Sequence, residues 1–181
     1  MKHALYAASL ITLSAVAPSA AVAQSGKAQF NIAAGLTLPT GTFADRNDAG
    51  YNAIVGIGLT PAGSSLGFRA EGMYTEFNSK AAEDKSRAAG LTGNVIYNFI
   101  APTSGQSNTV YAIGGVGYYS TREPFFDLRV GSPPSQTNFG WNIGGGFRFP
   151  LSGFSAYLEA RYHAVTGTDI RLLPISFGLQ F

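Results

Sequence analysis

The sequence predicts an all-β fold: an eight-stranded antiparallel up-and-down transmembrane β-barrel, preceded by a cleavable signal peptide. Three observations predict it. Eight stretches of about 10 residues alternate apolar positions with small or polar ones, the period of a strand with one apolar face. Charged residues make up only 12% of the chain, against roughly 25% in soluble domains. Aromatics on the apolar faces also collect at alternating strand ends, forming two belts.

The export segment comes first. Lys2 and His3 open it, Ala4 to Ala17 form an apolar stretch, and Ala21-Val22-Ala23 offers a small-residue cleavage site before Gln24. This is the three-part grammar of a secretory signal, and the apolar core is too short to span a bilayer of about 30 Å. Cleavage between Ala23 and Gln24 divides the chain into a signal peptide, 1–23, and one barrel domain, 24–181. It removes one cation, Lys2, from a balance of 12 basic and 10 acidic residues. No electrostatic footprint for nucleic acid survives. The chain has no cysteine, which argues against a disulfide scaffold or a thiolate metal site. No cofactor is expected.

The strands follow in order. The first, 29–38, sets Phe30, Ile32, Ala34, Leu36 and Leu38 on one face; the second, 51–60, sets Tyr51, Ala53, Val55, Ile57 and Leu59. In the third, 66–75, Leu66, Phe68, Ala70, Gly72 and Tyr74 alternate with Arg69, Glu71 and Met73. The fourth, 89–99, places Leu91, Gly93, Val95, Tyr97 and Phe99 against Thr92, Asn94 and Asn98. The fifth, 109–120, is apolar on both faces, Val110, Ala112, Val116 and Tyr118 alternating with Tyr111, Ile113 and Tyr119. Pattern alone leaves its register open. In the sixth, Phe139, Trp141, Ile143, Gly145, Phe147 and Phe149 stand opposite Asn142, Gly144, Gly146 and Arg148. The seventh sets Phe154, Ala156, Leu158, Ala160 and Tyr162 against Tyr157, Glu159, Arg161 and His163. The eighth, 172–181, sets Leu173, Ile175, Phe177, Leu179 and Phe181 against Pro174, Ser176, Gly178 and Gln180. Tilted strands of this length cross a hydrocarbon core, an even count suits a single-chain barrel, and a spanning sheet must close because lipid cannot satisfy an open edge.

Connector lengths give a further test. With the amino terminus in the periplasm, the connectors 39–50, 76–88, 121–137 and 165–171 are extracellular, and 61–65, 100–108 and 150–153 are periplasmic turns. The extracellular set is longer on the whole. It gathers Asp45, Arg46, Asp48, Lys80, Glu83, Asp84, Lys85, Arg87, Arg122, Glu123, Asp127 and Arg129. Phe30, Tyr97, Phe99, Phe149, Phe154 and Phe181 then form the periplasmic belt, and Tyr51, Tyr74, Tyr118, Phe139, Trp141 and Tyr162 the outer one.

A soluble barrel would bury the apolar face instead. Its exterior would need roughly 25–35% charged residues, whereas the polar face offers only Arg69, Glu71, Arg148, Glu159 and Arg161 well inside the strands. The apolar face therefore points outward. An eight-stranded interior is just wide enough for side chains to fill. The expectation is a lumen network of Arg69, Glu71, Glu159 and Arg161, with Arg148 and His163 near opposite ends, because buried charges need partners. An open diffusion pore is not expected.

The signal peptide, the eight amphipathic strands and the ending Tyr157-Leu158-Glu159-Ala160-Arg161-Tyr162-His163 through Leu173-Pro174-Ile175-Ser176-Phe177-Gly178-Leu179-Gln180-Phe181 resemble the small outer-membrane β-barrel proteins of the OmpA-, OmpX- and OmpW-like group. The resemblance implies the outer membrane as location, and lipid and lipopolysaccharide as neighbours. It also implies an assembly signal in Phe177, Leu179 and Phe181, read by the barrel-assembly machinery. No peptidoglycan-binding domain is expected beyond the barrel. Functions in this group vary, which limits what the fold implies.

Catalysis is the rival from another class. A lipid A deacylase or acyltransferase needs a histidine with a serine and an acidic partner in reach. His163 is followed by Ala164, Val165 and Thr166, without the His-x-Ser spacing typical of the deacylase family, and alternation sends it inward. The clusters Gly114-Gly115-Val116-Gly117 and Gly144-Gly145-Gly146 lie inside strands, lacking the strand-then-helix context of a dinucleotide site, and relieve crowding instead. Pro124-Phe125-Phe126-Asp127-Leu128 is the connector best suited to recognition. The expectation is a monomeric, non-enzymatic barrel with a structural or surface-interaction role. The alternative is a narrow or lateral path for small hydrophobic molecules, as in OmpW-like barrels.

Overall fold

The computed structural model describes residues 26–80, 85–99, 108–122 and 136–181. Ala23, Gln24 and the rest of the export segment lie outside them, as do Glu83, Asp84, Glu123, Phe125, Phe126, Asp127 and Arg129. Eight strands are present: β1 Gly26–Pro39, β2 Gly50–Pro61, β3 Leu66–Asn78, β4 Lys85–Asn98, β5 Thr109–Arg122, β6 Gln136–Pro150, β7 Ser155–Val165 and β8 Arg171–Gln180. Each pairs antiparallel with its neighbours, and β8 closes on β1. Up-and-down order puts both ends of the barrel chain on one rim, here the terminal end; the other rim is the far end.

Alternation decides the two faces. Outward Val55, Ile57, Leu91, Leu158 and Ile175 are exposed, while inward Arg69, Glu71, Glu159 and Arg161 are buried. Leu91 is 68% exposed and Arg161 only 3%. A water-soluble protein seldom exposes so continuous an apolar surface. The fifth strand, whose pattern was ambiguous, turns Tyr111, Ile113 and Tyr119 inward and Val110, Val116 and Tyr118 outward.

Three expectations need correction. Glu76, Lys85, Arg87 and Arg122 belong to strands, not to connectors, because β3, β4 and β5 run past the far aromatic belt. The first far-end connector contains a helix, α1 Thr42–Arg46, whose Phe43 is buried against Phe77 with ring centroids 5.4 Å apart. This segment also bridges to the end of β3 through Asn47 and Ser79. Finally, Ala156 belongs to the outward set but is covered, being paired with Phe149 and Leu179.

Candidate functional site: an ionic ring across the barrel

Four inward charges meet at mid-height. Arg69 and Glu71 come from β3, and Glu159 and Arg161 from β7, four strands away around the closed sheet. Arg161 Nη1 donates to Glu71 Oε2 at 2.6 Å, and its Nε lies 2.8 Å from Glu159 Oε1. Arg69 donates from its terminal nitrogen to Glu159 Oε2. Its Nε stands 3.0 Å from Glu71 Oε1, an ion pair out of hydrogen-bond alignment. Each carboxylate thus touches both guanidinium groups. The result is a closed ring of alternating charge that ties opposite walls together. Its members sit on alternate positions of β3 and β7, so all four side chains project from the inward face.

Neutral groups finish the ring. The Tyr111 hydroxyl donates to Glu159 Oε2 at 2.7 Å, and Asn94 Nδ2 to Glu71 Oε2 at 3.0 Å. Asn142 Nδ2 donates to Asn94 Oδ1 at 2.9 Å. The Arg69 guanidinium lies over the Tyr157 ring, 5.6 Å from its centroid. Arg148 stacks over Tyr111 at 5.1 Å on the terminal side. Charge-assisted bonds in a low-dielectric interior are strong, and the same dielectric makes an unpaired charge costly. Here both carboxylates are shared by two arginines, which offsets the desolvation of all four groups.

Inward glycines make the room. Gly56 pairs in register with Glu71, Gly144 with Arg161, and Gly146 with Glu159. A Cβ on Gly56 would approach Glu71 Cγ to 2.7 Å, and one on Gly144 would approach Arg161 Cγ to 2.7 Å. One on Gly146 would lie 2.5 Å from Tyr111 Cζ. The neighbouring backbone crowds the same positions, with the Ala160 carbonyl oxygen 2.1 Å from a Cβ on Gly144 and the Ala70 oxygen 2.7 Å from one on Gly56, so side chains and sheet together leave room for glycine alone.

On the far side of the ring the interior gathers an apolar cluster, beside a neutral polar chain in which Asn52 Nδ2 donates to Thr37 Oγ1 and Ser176 Oγ donates to Asn52 Oδ1. Ile54, Met73, Phe77, Tyr119, Val165 and Leu172 are buried together with Phe43 and Ile170 from the connectors. His163 lies at this boundary, its Nδ1 2.8 Å from the Tyr119 hydroxyl. It is buried inside the barrel, facing the lumen rather than the lipid, with the Tyr119 phenol as its hydrogen-bond partner among the described residues.

Outside, Phe30, Tyr97, Phe99 and Phe181 are exposed at the terminal end, with Phe149 and Phe154 half-buried; Phe154 stacks on Phe181 with centroids 5.8 Å apart. Tyr51, Tyr74, Tyr118, Phe139 and Trp141 are exposed toward the far end, and Tyr162 is half-buried beside Trp141. Phe177 and Phe181 are exposed on the closing edge, with Leu179 half-buried.

Sequence reasoning missed three ring partners, Asn94, Tyr111 and Asn142. Asn94 and Asn142 lay on the polar face it described, whereas Tyr111 lay hidden in the strand whose two faces read alike. It also missed a second cluster: Tyr51, Tyr74, Lys85 and Arg87 all bond to Glu76 on the outward face.

The sequence matches the family described as outer membrane protein beta-barrel domain over residues 7–181. No curated protein sequence matches the chain. Neisserial surface protein A is similar with a TM-score of 0.63 at 17% identity, over 84% of this chain and 95% of that one. The amino-terminal barrel domain of Pseudomonas aeruginosa OprF gives 0.53 at 17% identity, over 86% and 99%. Ail, the attachment invasion locus protein of Yersinia pestis, gives 0.54 at 14% identity, over 87% and 99%.

Proposed function

The chain belongs to the outer membrane protein β-barrel domain family, and from that premise we propose a sealed membrane scaffold that presents its far-end connectors for surface interaction. The far end is then the cell exterior and the terminal end the periplasm. The observation that carries the sealed reading is the ionic ring joining β3 to β7. Fixed side chains across the narrowest dimension of an eight-stranded lumen leave no continuous water column. The apolar cluster above the ring excludes water a second time. With its interior committed to packing, the molecule has its connectors as the surfaces free for recognition.

The same geometry supports a non-enzymatic reading. His163 bonds a phenol within the lumen, whereas lipid-directed acyl chemistry needs base and nucleophile together at the lipid surface. The outward residues Phe177 and Leu179 of β8, with Phe181 just after it, serve assembly, and the barrel works as a monomer.

Planar-bilayer recording tests the seal. The protein is expected to give no large, long-lived openings; sustained open-pore conductance overturns the proposal. Mass spectrometry of lipid A from expressing cells tests the second claim, and an altered acyl pattern would refute it.

A further inference from the structure

Beyond the outer aromatic belt the outward face changes character. Glu76 follows Tyr74 on that face of β3, and Lys85 and Arg87 stand beside it on β4. Only 10% of the Glu76 side chain is exposed. Its Oε1 accepts from the Tyr51 hydroxyl at 2.5 Å and from Lys85 Nζ. Its Oε2 accepts from the Tyr74 hydroxyl and from Arg87 Nε, each at 3.1 Å. Both oxygens are therefore fully engaged, and they hold two long cationic side chains in fixed places.

The cations themselves are not used up. Lys85 and Arg87 keep 44% and 52% of their side chains exposed. Among the described residues Arg87 gives Glu76 only its Nε edge, which leaves the pair of terminal nitrogens for a second oxyanion. Among them, too, two cations face one carboxylate here.

Position selects the anion. Aromatic belts sit at headgroup level, so a cluster level with Tyr51 and one step beyond Tyr74, on the outward face, lies among lipid headgroups. Below it the surface steps through Ala89 and Gly72 to Gly93, with nothing but Val55 Cγ2 at 3.9 Å facing Gly72 and open space at Gly93. These small residues leave room, between the exposed Tyr74 and Leu91 side chains, for an acyl chain attached to a bound headgroup. We propose that Lys85 and Arg87 bind a phosphate group of a phosphorylated lipid in the outer leaflet, and that Glu76 is the residue that positions them. The proposal rests on the reading that the outward face meets lipid.

The test uses the whole folded chain in detergent, titrated with diphosphoryl lipid A and read by native mass spectrometry. Dephosphorylated lipid A and inorganic phosphate serve as the other arms. The expected result is retention of one diphosphoryl lipid, lost about tenfold or more in a Lys85→Ala, Arg87→Ala double variant, and weak binding of the dephosphorylated lipid. Arg87→Lys keeps the charge but loses the planar fork, so it is expected to weaken binding as well, and it decides the matter if the double variant does not fold. Glu76→Gln raises the net positive charge: diffuse attraction would tighten binding, whereas a positioned pair is weakened. Wild-type affinity in the double variant or in Arg87→Lys, tighter binding in Glu76→Gln, or displacement of the lipid by inorganic phosphate would each overturn the site. Failure of the wild-type protein to show heat-modifiable gel mobility and outer-membrane fractionation would instead strike the barrel reading beneath it.

Discussion

The middle and the far end of the lumen are filled by opposite chemistries. At mid-height, four charged side chains from two facing strands meet in a few directional bonds. Toward the far rim, aromatic and aliphatic groups from several strands, joined by Phe43 and Ile170, form an apolar cluster, and the polar bonds beside it, from Asn52 to Thr37 and from Ser176 to Asn52, are between neutral groups. The contrast teaches how each layer fails. A charge ring is lost when one member goes, because the partners remain buried and uncompensated. An apolar layer weakens in proportion to the volume removed and to how far its neighbours can collapse.

The largest effect should therefore come from one ring carboxylate. Glu159→Ala takes one of two partners from each of Arg69 and Arg161 and removes the acceptor of the Tyr111 hydroxyl. A loss of about 3–5 kcal/mol is expected, measured by urea unfolding in lipid vesicles. A loss below about 1 kcal/mol would show that the ring does not bear on stability as a connected unit. Phe77→Ala should come next, at about 3 kcal/mol, the low end for a buried aromatic because α1 can settle into the gap. Conductance sharpens the comparison. Phe77→Ala leaves the ring intact and should stay silent in planar bilayers; openings in Phe77→Ala but not in Glu159→Ala would move the seal to the apolar layer.

The two layers were unequally legible in the sequence. Arg69, Glu71, Glu159 and Arg161 fall on alternate positions opposite apolar residues, so a period of two located them on one face. Their pairing across the barrel was equally implicit, since eight closed strands set β3 and β7 opposite each other. The far layer gave no such signal, because the faces exchange polarity where the strands leave the aromatic belt. Inside the belts the outward face is apolar and the charged residues point in. Past Tyr74 the order flips: Glu76 points out and Phe77 in, and likewise Arg87 and Ala88. A reader following one apolar face ends the strand at that flip and assigns the remainder to a connector. The same inversion hid the Glu76 cluster. Phe43 and Ile170 were out of reach for another reason, since they enter the interior from connectors whose course no periodicity records.

Smaller effects test how tightly each layer is built. Gly146→Ala adds one methyl group against the Tyr111 ring and within 2.8 Å of the Leu158 carbonyl. Neither neighbour can yield easily, as Tyr111 is held by Glu159 and the carbonyl belongs to the sheet. Overpacking should cost about 1–3 kcal/mol in the same unfolding assay, and a neutral outcome would mean that the ring tolerates displacement of its tyrosine.

The smallest expected change lies at the boundary between the layers. Tyr119→Phe removes the hydroxyl that meets His163 Nδ1 but preserves the edge-to-face ring contact, with centroids 5.7 Å apart. About 1 kcal/mol should be lost, the net worth of one buried hydrogen bond. If that bond is the only polar tie, pairing Tyr119→Phe with His163→Phe should recover most of the loss, because two apolar partners leave no unmet donor or acceptor behind. A double variant that is instead less stable than the sum of the single changes would place His163 in the ionic layer. The line between the two chemistries would then run above Tyr119 rather than through it.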